Sequence, residues 1–247
     1  MTRLVAAEYL KFRTTRAWIG FVLAVLALTG VVAAATVGSA EDVQLGTAEL
    51  SHDIVESALF SSLIAFLIGV VSVTAEWRHG TATRTFLVTP RRHRVLVAKE
   101  IWIVALALAL AVLALAFVLA IAVPWLAIEG SSLPVDPGLV GFGGRALLVS
   151  ALWGALGVGV GAVVQSQTPA LVGSVLWVLL GEALVTLLLG VVDLEDVGDY
   201  LPGRALSGLD ETVEDGLSPW AGGAVGLAWV VAFGLLGAVR MSRQDVT

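Results

Sequence analysis

Charged side chains are scarce in this 247-residue chain, and cysteine is absent. Only 14% of the residues are charged and 58% are hydrophobic, whereas a soluble domain is about one-quarter charged and about half apolar. A single globular core of this size cannot bury such an excess of apolar side chains, so the composition predicts a protein whose main solvent is lipid. The absence of cysteine excludes disulfides and thiolate metal sites.

The chain contains only two lysines, Lys11 and Lys99. Phenylalanine follows the first and glutamate follows the second, so neither can be the Lys-Ser/Thr pair of a phosphate-binding loop. The three histidines have no metal-ligating partner at suitable spacing. We therefore expect no catalytic residue, no metal site and no cofactor in this chain, and any ATP hydrolysis would belong to another polypeptide.

Apolar runs make up most of the chain. Six of them approach or exceed the roughly 20 residues that a membrane-spanning helix needs. Backbone groups in lipid must be satisfied within the segment, which favours helices, and no run alternates as a membrane β-barrel would. The sequence predicts an all-α, polytopic membrane protein whose six transmembrane helices lie at about 17–37, 54–75, 101–128, 146–164, 170–192 and 219–239.

The basic residues are sorted by side, although the net charge is −6. With both termini in the cytoplasm, the segments outside the cell hold only Arg145 and Arg204 of the 14 lysines and arginines. Lysine and arginine favour the cytoplasmic side, and an even number of spans returns the C-terminus there. Most acidic residues fall on the outer side. Nucleic acid is not expected as a partner.

The first 16 residues precede the first apolar run and carry several basic side chains. Val5, Tyr9 and Phe12 share one face at helical spacing, which indicates a short helix lying in the cytoplasmic interface of the membrane. A plain charged flank that only sets topology is the alternative. The chain thus divides into an interfacial helix, 1–16, and a transmembrane domain, 17–247.

Residues 76–99, which we call the polar loop, form the longest basic stretch, within the segment 76–100 that separates spans two and three. Gly80 is expected to end one helix and Thr81 to cap a short new one. Pro90 disfavours helical angles in the residue before it. A basic loop that only sets topology would explain the arginines but not this placement of glycine, threonine and proline.

The polar loop reads E-x-R-x-G-T and then L-x-T-P-R-R-x-R-x-L-x-A-K, between spans two and three of six. This pattern resembles the permease subunit of ATP-binding-cassette (ABC) exporters of the polysaccharide- and drug-export type. The similarity extends to the N-terminal helix, the six spans and a Tyr-Leu-Pro element at Tyr200 between spans five and six. It implies a multi-pass protein of a prokaryotic plasma membrane.

In that family the loop between spans two and three forms a coupling helix, which docks on a separate ATPase subunit. The resemblance implies two ATPase copies, a second permease subunit in a homodimer or heterodimer, and ATP with Mg bound in the partner. It assigns the coupling helix to 80–87 and the ATPase contact to Glu76, Arg78, Gly80, Thr81, Thr83, Arg84, Phe86, Leu87, Pro90, Arg91 and Arg92.

Glu182 is an ionisable residue in the middle of the fifth apolar run. An isolated charge at that depth costs about 2.5–3.5 kcal/mol on insertion scales. One interpretation is a polar contact along the transport path or at the seam between two subunits. The other is a hydrogen bond to a neighbouring helix, or to Thr186 on its own face.

Two other functions remain open at this stage. A secondary transporter would need residues that couple transport to an ion, and Glu182 is the only candidate within a span. The sequence also shows no inverted repeat of broken helices, which many such transporters have. A sensor or anchor related to such permeases would carry the same pattern without transporting anything. An intramembrane protease is disfavoured because the runs contain no Ser–His pair, no paired acids and no HExxH motif.

Overall fold

The computed structural model describes residues 1–41, 43–81, 83, 85, 87, 89, 91–210 and 216–243. The regular structure within these residues is helical and contains no strand, which confirms the all-α prediction. The helices are α1 (Thr2–Thr14), α2 (Ala17–Gly38), α3 (Ala48–Glu56), α4 (Phe60–Arg78), α5 (Arg92–Ile128), α6 (Pro137–Val164), α7 (Gln167–Leu176), α8 (Glu182–Val191), α9 (Glu195–Gly198), α10 (Pro202–Asp210) and α11 (Pro219–Arg243).

Six helical stretches of the described chain are long and apolar enough to cross a membrane, as a multi-pass membrane protein requires. A 3₁₀ turn, Ser57–Leu59, joins α3 to α4, and a π-helical turn, Trp177–Gly181, joins α7 to α8. The six stretches overlap the six predicted runs, but α5 begins nine residues before its run. Val95, Leu96 and Ala98 are buried in that extension, so packing continues the helix beyond the apolar segment.

The bundle has two chemically different ends. At the end that we call the basic end, α1 meets the end of α4 and the start of α5, and the start of α5 meets the end of α11. Arg92 there donates to the carbonyl oxygen of Met241 in α11. The opposite end carries α3 and the segments that follow α5 and α8, and most of the acidic residues that the structure describes lie there.

Glycines of helix α6 let two neighbouring helices, α4 and α11, approach it closely. A Cβ at Gly157 would clash with the backbone of Phe66 in α4, and one at Gly161 would meet the backbone of Val70. A Cβ at Gly159 would come within 2.8 Å of Phe233 in α11. Small residues therefore serve packing inside this subunit, as in other membrane helices.

The segment between α8 and α11 folds back along α11 instead of extending away from it. The indole N–H of Trp229 donates to the carbonyl oxygen of Tyr200 at 2.8 Å. Trp229 lies ten residues into α11, roughly 15 Å from its start at a rise of 1.5 Å per residue. Helix α10, predicted near 205–209, therefore begins beside the middle of α11 and packs against its first half at Gly222.

Candidate functional site at the base of the polar loop

Gly80 ends α4 in the way that the sequence predicts. Its φ is +64°, in the left-handed region that favours glycine. The backbone N–H of Gly80 donates to the carbonyl of Trp77, and that of Thr81 donates to the carbonyl of Glu76 at 2.9 Å. This pair of bonds closes the helix as a Schellman motif does. The chain direction changes sharply at this point.

Helical structure resumes after Gly80. The carbonyl of Thr81 accepts from the N–H of Thr85 at 3.1 Å, and that of Thr85 accepts from Thr89 at 2.9 Å. Thr83, Thr85 and Leu87 are helical, and the side chain of Leu87 is 74% exposed. The predicted contact residues Arg84, Phe86 and Pro90 lie outside the described residues.

Helix α4 ends and helix α5 begins inside the polar loop. The segment that connects the two helices is therefore only residues 79–91, shorter than the polar loop of residues 76–99. Three of the arginines predicted to contact an ATPase lie in the described residues. Arg78 donates to Gln167 Oε1 at 3.3 Å and so links α4 to α7. Arg92 bonds to α11, as described above. Arg91 is exposed and immediately precedes α5.

Four charged side chains meet where the polar loop begins and ends. Lys99 Nζ lies 2.6 Å from Glu8 Oε2 and 2.7 Å from Glu76 Oε1, and it also donates to the carbonyl oxygen of Ser72 at 3.0 Å. Lys11 Nζ lies 2.6 Å from Glu8 Oε1 and 2.7 Å from Glu76 Oε1. We call Glu8, Lys11, Glu76 and Lys99 the ion-pair network.

The ion-pair network is neutral as a whole, with two carboxylates and two ammonium groups. Lys99 is the largest fully buried side chain of the described residues, at 1% exposure, and Glu8 and Glu76 are buried as well. Burial by itself would lower the pKa of Lys11, but the carboxylates of Glu76 and Glu8 raise that pKa above its usual value. Lys11 therefore stays charged at neutral pH.

Helix α1 is held against the bundle by apolar contacts as well as by charge. The rings of Tyr9 and Phe12 meet Trp102 of α5 edge to face, with centroids 5.3 and 6.0 Å apart. The apolar face expected to enter the membrane interface is thus partly occupied by α5. Helix α1, the end of α4 and the start of α5 consequently form one joined unit around the base of the polar loop.

Glu182 follows the π-helical turn, and its carboxylate faces protein donors. Because the turn is closed by an i→i+5 bond, it brings Trp177 Nε1 within 3.1 Å of Glu182 Oε1. The backbone N–H of Gly203 donates to Oε1 at 2.7 Å, and that of Arg204 donates to Oε2 at 3.2 Å. Glu182 thus anchors the N-terminus of α10, where negative charge is stabilised. The partners are Trp177 and α10 rather than Thr186.

Sequence reasoning missed several of these residues. It read Lys11 and Lys99 as topology signals and gave Glu8 no role, although the only two lysines of the chain both lie in the ion-pair network. That scarcity was a usable signal. Glu100 was also missed: one of its carboxylate oxygens is buried without a hydrogen-bond partner among the described residues, in an apolar groove between α5, α6 and α11.

A scan of protein-family models and a search of curated proteins found no match to this chain. The helical stretches and the residues that they bring together therefore carry the functional conclusions on their own. No cluster of three or more histidine and acidic side chains that could hold a metal ion is present among the described residues.

Proposed function

We propose that the chain is the membrane-spanning subunit of an ATP-driven transporter of the ABC exporter type. A separate ATPase docks on the polar loop from the cytoplasm and supplies the energy, since the chain itself has no phosphate-binding loop. Two such subunits enclose the substrate pathway, and each is driven by its own ATPase copy. Both chain termini then lie in the cytoplasm of a prokaryotic cell, as the distribution of arginine and lysine favours.

The observation that carries this proposal is the ion-pair network. A loop that receives force must be joined stiffly to the helices that it moves. Glu76, the first residue of the polar loop, lies in the last turn of α4, and Lys99, its last residue, lies in α5. The two are bonded to each other and to α1. Buried, mutually satisfied charges are costly to separate, so α1, α4 and α5 respond to the loop together.

The remaining geometry is consistent with a docking surface. Thr83, Thr85 and Leu87 are helical, the side chain of Leu87 is exposed, and Arg91 is exposed beside this segment. An ATPase pair that grips one permease conformation more tightly than the other would shift the equilibrium between the two, and only such a difference in affinity can drive the change.

Charge reversal at Arg91 tests the docking role. In cells of its source, a tagged Arg91→Glu chain should retain less than one-tenth of the ATP hydrolysis that co-purifies with the parent chain. A favourable contact of the arginine becomes a repulsive one at an interface, which weakens assembly. Arg91 is preferred to Arg92 because Arg92 bonds to α11, so its replacement would also disturb the bundle.

The matched control is Arg3→Glu, which reverses an exposed arginine of α1. It should insert normally and retain the co-purified ATPase. The proposal is wrong if Arg91→Glu behaves like the parent chain, or if the purified chain transports its substrate without any second polypeptide. Equal loss in both variants would show that the loop supplies only general positive charge.

A further inference from the structure

The charged segment after α8 descends to the middle of the bundle. We call residues 193–204 the folded-back segment, because the carbonyl oxygen of Tyr200 accepts from Trp229 Nε1 at 2.8 Å. Trp229 lies ten residues after Pro219, where α11 begins, and eleven before Arg240, the first charged residue of that helix. At 1.5 Å per residue these separations are roughly 15 and 16 Å, so Trp229 lies about halfway through a hydrocarbon core of about 30 Å, whatever the tilt of α11. Tyr200 lies beside this level.

Helix α8 gives the same depth independently. A Cβ at Gly198 would lie 3.4 Å from the side chain of Thr186, five residues before the end of α8 at Val191. The backbone N–H of Gly203 donates at 2.7 Å to Glu182, which lies nine residues before that end. The folded-back segment therefore runs from the end of α8 back toward its start, and its last residues lie roughly 14 Å below that end.

Charged side chains accompany the folded-back segment to this depth. Arg204 donates to Asp199 Oδ1 through Nε at 3.0 Å and through Nη2 at 2.7 Å, and its backbone N–H donates to Glu182 Oε2 at 3.2 Å. The side chain of Arg204 is 35% exposed, and Tyr200 is 54% exposed. Ionisable side chains and irregular backbone within a membrane face protein or a water-filled space. Hydrocarbon is therefore not the solvent of this surface.

One subunit covers only the inner side of this surface. Helix α10, which follows, packs on α11 at Gly222 and on α6 at Val149. Tyr200 and Val197 are about half exposed, and no residue of α8 is buried, so the described residues of the chain provide no wall on the outer side. Water at this depth must be separated from lipid by protein. In a two-fold dimer the same surface of each copy faces the other, so a second copy supplies the missing wall.

We propose that α8 and the folded-back segment line a water-filled vestibule that opens to the outside of the cell, reaches the middle of the membrane and is closed on its far side by a second copy of this chain. Its polar lining is Glu182, Asp199 and Arg204. That the vestibule is the outer half of the substrate pathway rests on the proposed function. The vestibule itself does not, since its water and its second wall need no ATPase.

Labelling of single cysteines in intact cells of the source tests the vestibule, since the chain has no cysteine of its own. The reagent is a membrane-impermeant methanethiosulfonate. A thiol reacts as its thiolate, which water favours and an apolar environment disfavours, so Tyr200→Cys should react at least about tenfold faster than Val112→Cys. Val112 is the matched control because it is 53% exposed, like Tyr200 at 54%, and lies in the apolar part of α5. Twelve residues, roughly 18 Å, separate it from the nearest preceding charge, Glu100.

A flexible bis-maleimide tests the second copy. It should join two Tyr200→Cys chains into a covalent dimer and leave Val112→Cys monomeric. Val197→Cys, 49% exposed in the same segment, should react and cross-link like Tyr200→Cys, so the result does not depend on one variant. The proposal is overturned if both segment variants react as slowly as Val112→Cys, or if they react but form no dimer. Neither outcome touches ATPase docking, which Arg91→Glu tests. An accessible, cross-linked segment in a chain that never co-purifies with ATP hydrolysis would contradict the transport proposal alone.

Discussion

At the scale of single residues, Lys99 shows how the buried charges at the base of the polar loop are balanced. Its ammonium is buried between Glu8 and Glu76 and has a third partner in the carbonyl of Ser72. Removing one member of a buried ion pair strands the others without compensation, which costs about 3–5 kcal/mol. The neutrality of the ion-pair network is therefore as important as any single contact in it.

Lys99→Met should accordingly lower the free energy of unfolding by about 3–5 kcal/mol, because two buried carboxylates would face only Lys11. The double variant Lys99→Met with Glu8→Gln should recover part of that loss, since Lys11 and Glu76 would again balance each other. Thermal unfolding in detergent checks both variants. A single variant as stable as the parent, or a double variant less stable than the single one, would contradict the role given to the network.

Single residues also show where sequence reasoning stops. Gly80 was predictable, because a glycine in a polar segment after an apolar run signals a helix end by local geometry alone. The pairing of Glu8 with Lys99 was not, because the two are 91 positions apart and meet only through the packing of α1 on α5.

At the scale of elements, the close approach of α4 and α6 holds the bundle together. It depends on glycines whose missing Cβ leaves room for the backbone of the other helix. The four-residue spacing of Gly157 and Gly161 is one that lets membrane helices approach closely, but the spacing alone does not tell whether the partner helix belongs to this subunit. The structure gives the answer: the partner is α4, with Phe66 and Val70 at the contact.

Gly157→Ala should destabilise the chain, because its new Cβ would overlap the Phe66 backbone and force α4 and α6 apart; overpacking of this kind costs about 1–3 kcal/mol. Gly144→Ala in the same helix is the control. Nothing lies within 4 Å of a Cβ at that position, so better helix propensity should leave stability unchanged or higher. Melting temperatures in detergent measure both; equal melting temperatures would contradict the close contact.

The lengths of the elements were predicted from hydropathy to within a few residues at most ends, since the apolar runs are long. Their irregularities were not. The π-helical turn at Trp177–Gly181 has no periodic signal, yet it brings Trp177 to Glu182 and so anchors α10. The folded-back course of α9 and α10 likewise arises from tertiary contacts with α11, which a short polar segment does not encode locally.

At the scale of the whole molecule, the chain is a bundle with a basic end and an acidic end, joined by six helices that can cross a membrane. The ion-pair network lies at the basic end. In the proposed transporter, an ATPase pulls on the basic end and changes how the helices pack against one another. This proposal requires that a second polypeptide, the ATPase, docks on the polar loop.

The most direct test uses the absence of cysteine, which makes any introduced cysteine unique. Leu87→Cys lies on the exposed side of the polar loop, and Val135→Cys, 68% exposed before α6, is its counterpart at the acidic end. After treatment of native membranes with a thiol-to-amine cross-linker, Leu87→Cys should capture a nucleotide-binding ATPase and Val135→Cys should not. Capture of that ATPase by neither position, or equally by both, would contradict docking on the polar loop.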